Sequence, residues 1–483
     1  MARNNERYKR LIKSSFACVI LGIEIILYYV FWIEYYNKLM KFPFYRKGLW
    51  LIAVIYGVLL LFFNKTYGGL KIGYLRRGHV IYSHTMSLII ANILGYFEFA
   101  VADKKFHSPF GFVLLTAIDF IFIVIWVFLF QSIYSKIFPP RTLLVVYGEK
   151  PVFSIMEKIN SREDKYIITG AININKGMDR IMEESVKYGG IIIGDITSHD
   201  RNILLKRSYE VGVRAYLVPK ISDIMIRSAS ELNLFDTQLL LSRNDNIQID
   251  QQIIKRAMDL ILGSIMLIAT SPLFLFFGVA IKLNDNGPIF YRQKRLTIDG
   301  KEFDILKFRT MIVNAEKDGV PRLAGERDNR ITRIGKILRA TRLDELPQLI
   351  NILRGEMSIV GPRPERPEIA KEYEKEIPEF RYRLKMKAGL TGYAQVYGKY
   401  NTTPYDKLKL DLSYIRNYSA WLDLKLMLMT PKILFIKEST EGIDDDSLNA
   451  LKKSENLKEE VYGKRNTFEN DIELARADNR SKL

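Results

Sequence analysis

Four long apolar stretches fill the first 135 residues: Phe16 to Ile33, Gly48 to Asn64, Val80 to Ala102 and Gly111 to Ile133. Each approaches the ~20 residues that cross a hydrocarbon core ~30 Å thick. In that solvent every backbone N–H and C=O must be satisfied internally, which favours helices. The stretches therefore predict a four-helix transmembrane bundle over 1–138. Arg3, Arg7, Lys9 and Arg10 precede the first stretch as in a signal peptide. No small-x-small cleavage site follows, and Glu34, Tyr35 and Tyr36 close the stretch, so it is expected to be retained. An even number of crossings returns the chain to the side of its N-terminus. The basic N-terminus and the Lys65, Lys71, Arg76, Arg77 loop mark that side as cytoplasmic, against Lys38, Lys41, Arg46 and Lys47 in the opposing loop.

Glu24, Glu98 and Asp119 lie inside these spans, where an ionised carboxylate is costly and suggests a proton or ion path. With no basic partner recognised there, the expectation is instead that they are protonated, hydrogen-bonded between helices or wetted near an interface.

The chain as a whole is too long for one unit: 483 residues at ~150 per domain allow about three. A 48% hydrophobic content excludes a disordered chain, and 72 Lys+Arg against 54 Asp+Glu point to an anionic partner. With apolar spans present, that partner is expected to be lipid headgroups or phosphorylated metabolites, with no nucleic acid. Cys18 alone cannot form an intrachain disulfide, and four scattered histidines do not make a usual zinc pattern.

Pro139 and Pro140 end the bundle, and short β-branched runs then alternate with polar helical stretches. Thr142 to Tyr147, Tyr166 to Ala171, Gly190 to Gly194 and Arg214 to Val218 read as buried strands of a small parallel sheet, a Rossmann-like α/β domain over 139–245. The first strand runs into Gly148-Glu149-Lys150-Pro151, which lacks two of the three glycines of a dinucleotide loop. A packing or dimerisation module is expected there, with a regulatory ligand left open.

Leu260 to Ile281 carries no charge and is long enough, at ~1.5 Å per residue, to span a bilayer. Length leaves a simple crossing and a bent, re-entrant helix pair both open. Ser271-Pro272 interrupts the run near its centre, and Lys255, Arg256, Lys282, Arg292, Lys294 and Arg295 flank both ends. In the re-entrant reading Ser271 bonds the backbone groups that Pro272 frees.

An arginine-rich region, Tyr291 to Arg366, follows. Scattered cations of this kind commonly face solvent or a membrane surface, but three clusters suggest chemistry. In Lys307-Phe308-Arg309-Thr310-Met311, Lys307 is expected on the same strand face as Phe303 and Ile305. In Leu343-Asp344-Glu345-Leu346-Pro347-Gln348, two acids precede a proline suited to a helix's first turn. A helix starting there would aim free N–H groups at Asp344 and Glu345, and Arg339 and Arg342 would add to the field holding both ionised. In Gly361-Pro362-Arg363-Pro364, prolines fix an arginine whose fork matches phosphate. A carboxylate pair among such cations suits phosphoryl transfer, in which it attacks phosphorus or holds Mg²⁺. A lone Asp-Glu-x-Pro would otherwise read as a helix cap with surface ion pairs.

Together the motifs resemble the polyprenyl-phosphate hexose-1-phosphate transferases, monotopic bacterial enzymes that begin lipid-linked glycan assembly. The resemblance runs from about Ile253 to Glu438: the Ser271-Pro272 break, Tyr291-Arg292-Gln293, KFRTM at Lys307, LDELPQL at Leu343, SIVGPRP at Ser358 and GLTGYAQVYG at Gly389. A bundle plus a degenerate Rossmann-like domain resembles the family's large subclass. The implied fold class is membrane α+β: four transmembrane helices, a Rossmann-like domain, and a mostly α-helical catalytic domain over 250–440 anchored by the re-entrant helix. The resemblance implies that Asp344 is the nucleophile. It attacks the sugar-linked phosphorus of a UDP-sugar, releases UMP and forms a phosphosugar-aspartyl intermediate that polyprenyl (undecaprenyl) phosphate resolves. It also implies that Glu345 assists; that Lys307, Arg339 and Arg363 serve phosphate or support the site; and that Mg²⁺ lies near Asp344. A homodimer in membrane lipid, with its catalytic domain on the cytoplasmic side of the bacterial inner membrane, completes the expectation. Thr297 departs from the glycine common before Gly300 in the family, outside the catalytic clusters.

Residues 441–483 are charged, with Asp444-Asp445-Asp446 expected to be solvated. Two rival readings stand: a glycosyltransferase using Asp444 to Asp446 as metal ligands, and a non-catalytic membrane scaffold or ligand sensor.

Overall fold

The computed structural model describes residues 6–148, 156, 159, 162–242, 247–313, 330–398 and 402–434. Glu149, Lys150 and Pro151 of the predicted loop, and the 441–483 segment with Asp444 to Asp446, lie outside them. The described residues divide into two compact units, one up to Val218 and one from Pro219 onward.

The first unit begins with four helices, α1 (Lys9–Phe31), α2 (Lys47–Tyr67), α3 (Arg77–Asp103) and α4 (Phe110–Ile137). A π turn over Trp32–Tyr36 prolongs α1 toward Leu39. All four are long and apolar enough to cross a membrane. Their outward faces carry large apolar side chains such as Trp50, Val58, Ile121 and Leu129, the pattern of helices solvated by lipid. Inside, Tyr28 stacks on Tyr56 at 3.7 Å, and Trp32, Tyr36, Phe99 and Phe112 form a closed aromatic layer.

The expectation that the intramembrane acids have no basic partner is corrected here. His84, on α3, places Nε2 2.8 Å from Glu24 Oε1, and both side chains are fully buried. A lone histidine in an apolar run reveals its partner only once the helices are packed.

After the bundle come β1 (Arg141–Tyr147), β2 (Tyr166–Asn173), α5 (Met178–Ser185), β3 (Ile191–Ile193), α6 (Ser198–Val211) and β4 (Ala215–Leu217). The strands form one parallel sheet in the order β2-β1-β3-β4. The central strands β1 and β3 supply most of its buried aliphatics, whereas the edge strands β2 and β4 are largely half-buried to exposed, which corrects their reading as buried strands. An edge strand lacks the covering neighbour that the interior ones have.

The second unit contains α7 (Ile221–Arg227), the hairpin β5 (Ser230–Leu234) and β6 (Thr237–Leu241), and α8 (Ile249–Asp285). The β7 (Phe290–Leu296)–β8 (Glu302–Phe308) antiparallel pair follows, then α9 (Arg333–Ala340), α10 (Gln348–Arg354), β9 (Ser358–Val360) and α11 (Pro367–Glu376). The described part closes with β10 (Gly389–Thr391), α12 (Tyr393–Tyr397), α13 (Pro404–Arg416) and α14 (Ala420–Leu434). A core of Phe303, Ile305, Leu349, Ile352, Met357 and Ile359 joins β8, α10 and β9.

Helix α8 runs from Ile249 to Asp285 with Pro272 inside it. Proline at 272 removes the donor for the Ile268 carbonyl, and Ser271 Oγ donates to that carbonyl at 2.7 Å. The hydroxyl thus replaces the missing helix bond. The middle of α8 exposes Ile261, Ile268, Leu275 and Phe276, while its ends are tied down by polar contacts. Lys255 pairs with Asp423 at 2.7 Å, Asp259 accepts from Ile359 N at 2.9 Å, and Asp285 pairs with Arg309.

Candidate active site

The site gathers the ends of four short elements. Lys307 lies in β8 opposite Tyr291 of β7, and alternation puts it on the face whose other members, Phe303 and Ile305, enter the core. The strand position is fixed from α10: Asn351 donates to Asp304 O at 2.9 Å and accepts from Leu306 N at 3.0 Å. Beyond β8, α9 presses so closely on Thr310 that a Cβ at Gly335 would fall 2.0 Å from the Thr310 carbonyl oxygen. Only glycine permits that approach. It lets Arg339 donate from Nε to Thr310 Oγ1 at 3.1 Å.

Helix α9 ends in a left-handed residue, Arg342, at φ 57°. Glycine is the usual occupant of this conformation. Here the side chain is used: Arg342 Nη1 lies 4.0 Å from Glu345 Oε1. The turn sends the chain into a short 3₁₀ segment, Leu343–Glu345. Pro347 is the N-cap of α10, and neither acid caps that helix. The expectation that a helix dipole holds the acids is therefore corrected: a seven-residue helix begins after them, and side-chain cations do the work.

Those cations converge on Glu345. Its Oε1 is 2.8 Å from Lys307 Nζ and 3.3 Å from Arg363 Nη2. Burial alone would raise the Glu345 carboxyl, but Lys307, Arg363 and Arg342 overcome it and hold the group well below the usual carboxylate range. Asp344 differs. Among the described residues no hydrogen bond or ion pair holds its carboxylate, and burial lifts its pKa above the ordinary value, with Lys307 opposing and Glu345 reinforcing the rise. The adjacent acids thus differ: Glu345 is clamped by cations, whereas Asp344 is unclamped and its pKa is raised by burial. Lys307 and Arg363, read as phosphate ligands, contact Glu345 directly.

Arg363 is held from behind by residues that sequence reasoning missed. Buried Arg383 donates to the Arg363 carbonyl at 2.9 Å, pairs with Asp411 at 2.7 Å and lies 3.3 Å from Glu365. Lys407 also reaches Glu365 at 3.2 Å. Against burial, Lys407, Arg383 and Arg363 push Glu365 down to about 2. The neighbouring backbone is locked by Gly361 N donating to Thr391 O at 2.8 Å and Gly389 N donating to Pro362 O at 2.9 Å. Arg295 Nη1 donates to Pro364 O at 3.1 Å. Thr297 is buried and used: its hydroxyl donates to Glu356 O at 2.9 Å and accepts from Ala388 N at 3.2 Å. Ser271 and Pro272 belong to the exposed middle of α8.

Among the described residues no group of three His, Cys, Asp or Glu stands close enough to hold a metal. One free carboxylate fits Mg²⁺, which commonly takes one or two carboxylates and completes its shell with water and substrate phosphate.

Residues 250–437 match the family model described as bacterial sugar transferase. The UDP-glucose:undecaprenyl-phosphate glucose-1-phosphate transferase of Xanthomonas campestris pv. campestris is 37% identical over 234 residues, 47% of this chain and 48% of that protein. A protein of the same name from Caulobacter vibrioides is 42% identical over 187 residues, 37% of this chain and 69% of that protein. The undecaprenyl-phosphate galactose phosphotransferase of Salmonella typhimurium is 31% identical over 239 residues, 46% of this chain and 49% of that protein. The chain thus spans about half the length of the Xanthomonas and Salmonella proteins and more than two thirds of the Caulobacter one. On the family match and the Caulobacter alignment, the chain belongs to the bacterial sugar transferase family.

Proposed function

We propose that the chain transfers a hexose-1-phosphate from a UDP-sugar to polyprenyl phosphate, releasing UMP and starting a lipid-linked glycan such as exopolysaccharide or capsule. The observation that carries this reading is the split acid pair: Glu345 neutralised by Lys307, Arg363 and Arg342, beside an Asp344 with its oxygens unclaimed. An ionised Asp344 attacks the sugar-linked phosphorus, the bond to UMP breaks, and a phosphosugar-aspartyl ester remains. The lipid phosphate oxygen then attacks the same phosphorus, forms the diphosphate and returns the carboxylate. Glu345 keeps the three cations in place, and Arg339 is held at the edge of the site by Thr310. Asp344 would hold Mg²⁺, which when bound screens the diphosphate charge.

Both ends of α8 dock on the same unit while its apolar middle faces outward, which supports a re-entrant anchor. A full crossing would part the two sets of docking contacts. That anchor keeps Asp344 at the cytoplasmic leaflet of the inner membrane, where soluble UDP-sugar and membrane lipid phosphate meet. The four long helices are read as the multi-pass bundle, and the parallel sheet after them as a Rossmann-like module. A homodimer is supported by the β5–β6 hairpin, whose Leu234, Phe235 and Leu240 are exposed. The glucose and galactose names of the relatives make either sugar a first choice in a UDP-sugar panel. Continuous UMP release when UDP-sugar, lipid phosphate and Mg²⁺ are mixed, no more than about one UMP per protein when lipid phosphate is left out, and neither in Asp344→Asn, supports the proposal. UDP in its place identifies a glycosyltransferase, and no nucleotide release with any sugar leaves a scaffold.

A further inference from the structure

The four membrane helices enclose polar groups that the transferase reading does not use. Glu24 of α1, Asn64 of α2, His84 of α3 and Asp119 of α4 are all fully buried, one from each helix. Glu24 Oε1 and His84 Nε2 are 2.8 Å apart, and the Gly69 carbonyl faces His84 Nδ1 at 3.4 Å. A carbonyl can only accept, so Nδ1 carries a hydrogen. The Nε2–Oε1 contact then needs one further proton, held as imidazolium with carboxylate or as imidazole with carboxylic acid. Either arrangement is neutral.

Asn64 lies against the same turn, because a Cβ on Gly69 would fall 2.1 Å from Asn64 Oδ1 and 2.8 Å from His84 Cα. Among the described residues neither amide atom of Asn64, neither oxygen of Asp119, nor Glu24 Oε2 has a hydrogen-bond partner. Asp119 and Glu24 are close enough for their charges to interact, and Tyr56 feels both. Other polar groups of the bundle core include Tyr28 of α1, Ser83 and Ser87 of α3, and Asn92 of α3, which accepts from Tyr56 and donates to Thr116 Oγ1, both at 2.7 Å; Glu98 acts on Tyr28. Among the described residues no hydrogen bond or ion pair holds Asp119, and an unpaired carboxylate in such a place costs several kcal/mol. Two carboxyls and one imidazole become neutral only when two positive charges bind. With no group of three His, Cys, Asp or Glu close enough for a metal among the described residues, the fitting charge is a proton.

We propose that the membrane unit is a reversible proton-binding module: the Glu24–His84 pair holds one proton between its members, and Asp119 binds a second. When Asp119 releases its proton to water, its carboxylate leaves a net negative charge in the closed bundle, so packing of the four helices is linked to proton uptake.

The test is infrared spectroscopy of the full-length protein in lipid nanodiscs from about pH 5 to about pH 9, in sodium and in choline buffer. The expected spectrum has a protonated-carboxyl stretch that fades reversibly as pH rises, is absent in Asp119→Asn and is the same in both buffers. In Glu24→Gln the histidine ring bands change while the Asp119 band stays. Isotope-labelled aspartate must shift the band in wild-type protein, which decides the matter even if a variant fails to fold. No aspartate-dependent acid band at any pH, or one unchanged across the range, overturns the proposal. A band removed by sodium at fixed pH assigns the site to a metal cation and overturns it equally.

Discussion

Removing Glu345 and removing Lys307 should move the acidic limb of the rate profile in opposite directions. The reaction proposed for Asp344 needs its carboxylate, so activity rises with pH as that group ionises. Lys307 Nζ, Arg363 Nη2 and Arg342 Nη1 lie 2.8, 3.3 and 4.0 Å from Glu345 Oε1. At an effective dielectric of ~20 these contacts are worth gross attractions of about 6, 5 and 4 kcal/mol, enough to keep Glu345 charged against burial. Glu345 then acts on Asp344 as a fixed negative charge. A like charge beside a carboxyl raises its pKa, and Glu345 does so for Asp344. Glu345→Gln removes that repulsion and frees the cations, so the limb of kcat/KM should fall by about 1–2 units. Lys307→Met removes a cation that lowers Asp344, so its limb should rise by a similar amount. Initial rates of UMP release at saturating lipid phosphate read both. Shifts of the same sign, or none in either variant, would refute the assignment of the titrating group to Asp344.

Other consequences test the surrounding structure. Glu365, depressed from 4.5 to about 2, contributes stability on the order of 3 kcal/mol that is complete above the unfolded-state value and lost as pH falls toward about 2. Glu365→Gln should flatten that acid dependence in denaturant titrations, and an unchanged slope would contradict it. Ser271→Ala leaves the Ile268 carbonyl without its substitute donor, so thermal unfolding in nanodiscs should show a loss of about 0.5–1.5 kcal/mol; Ser271→Thr should recover it. Gly335→Ala must displace α9 from Thr310, costing about 1–3 kcal/mol in denaturant titrations and lowering turnover through Arg339, with Arg339→Lys alone leaving stability intact.

The apolar spans and the chemistry-bearing motifs were legible because each is local. A run of lipid-compatible residues, an acid pair and a proline-framed arginine need no tertiary information. What escaped was set by distant partners. Lys255 and Asp259 share a helical face at the edge of an apolar run, but their partners Asp423 and Ser358 lie far along the chain. Asp411 and Lys407 sit in an unremarkable amphipathic helix, and their contacts with Arg383 and Glu365 arise only when α13 packs behind the Arg363 loop. The opposite ionisation tendencies of Asp344 and Glu345 follow from which of two neighbours reaches Lys307, a choice made by the 3₁₀ turn after Arg342. The Ser271 bond to the Ile268 carbonyl was legible because the hydroxyl stands next to the proline that frees that carbonyl.

The covalent step is tested most directly by intact-mass measurement of the full chain incubated with UDP-sugar and Mg²⁺ in the absence of lipid acceptor. The account predicts a protein heavier by one hexose phosphate, absent from Asp344→Asn and discharged when polyprenyl phosphate is added. Lipid-linked sugar formed at full rate with no such adduct in rapidly quenched samples would contradict it.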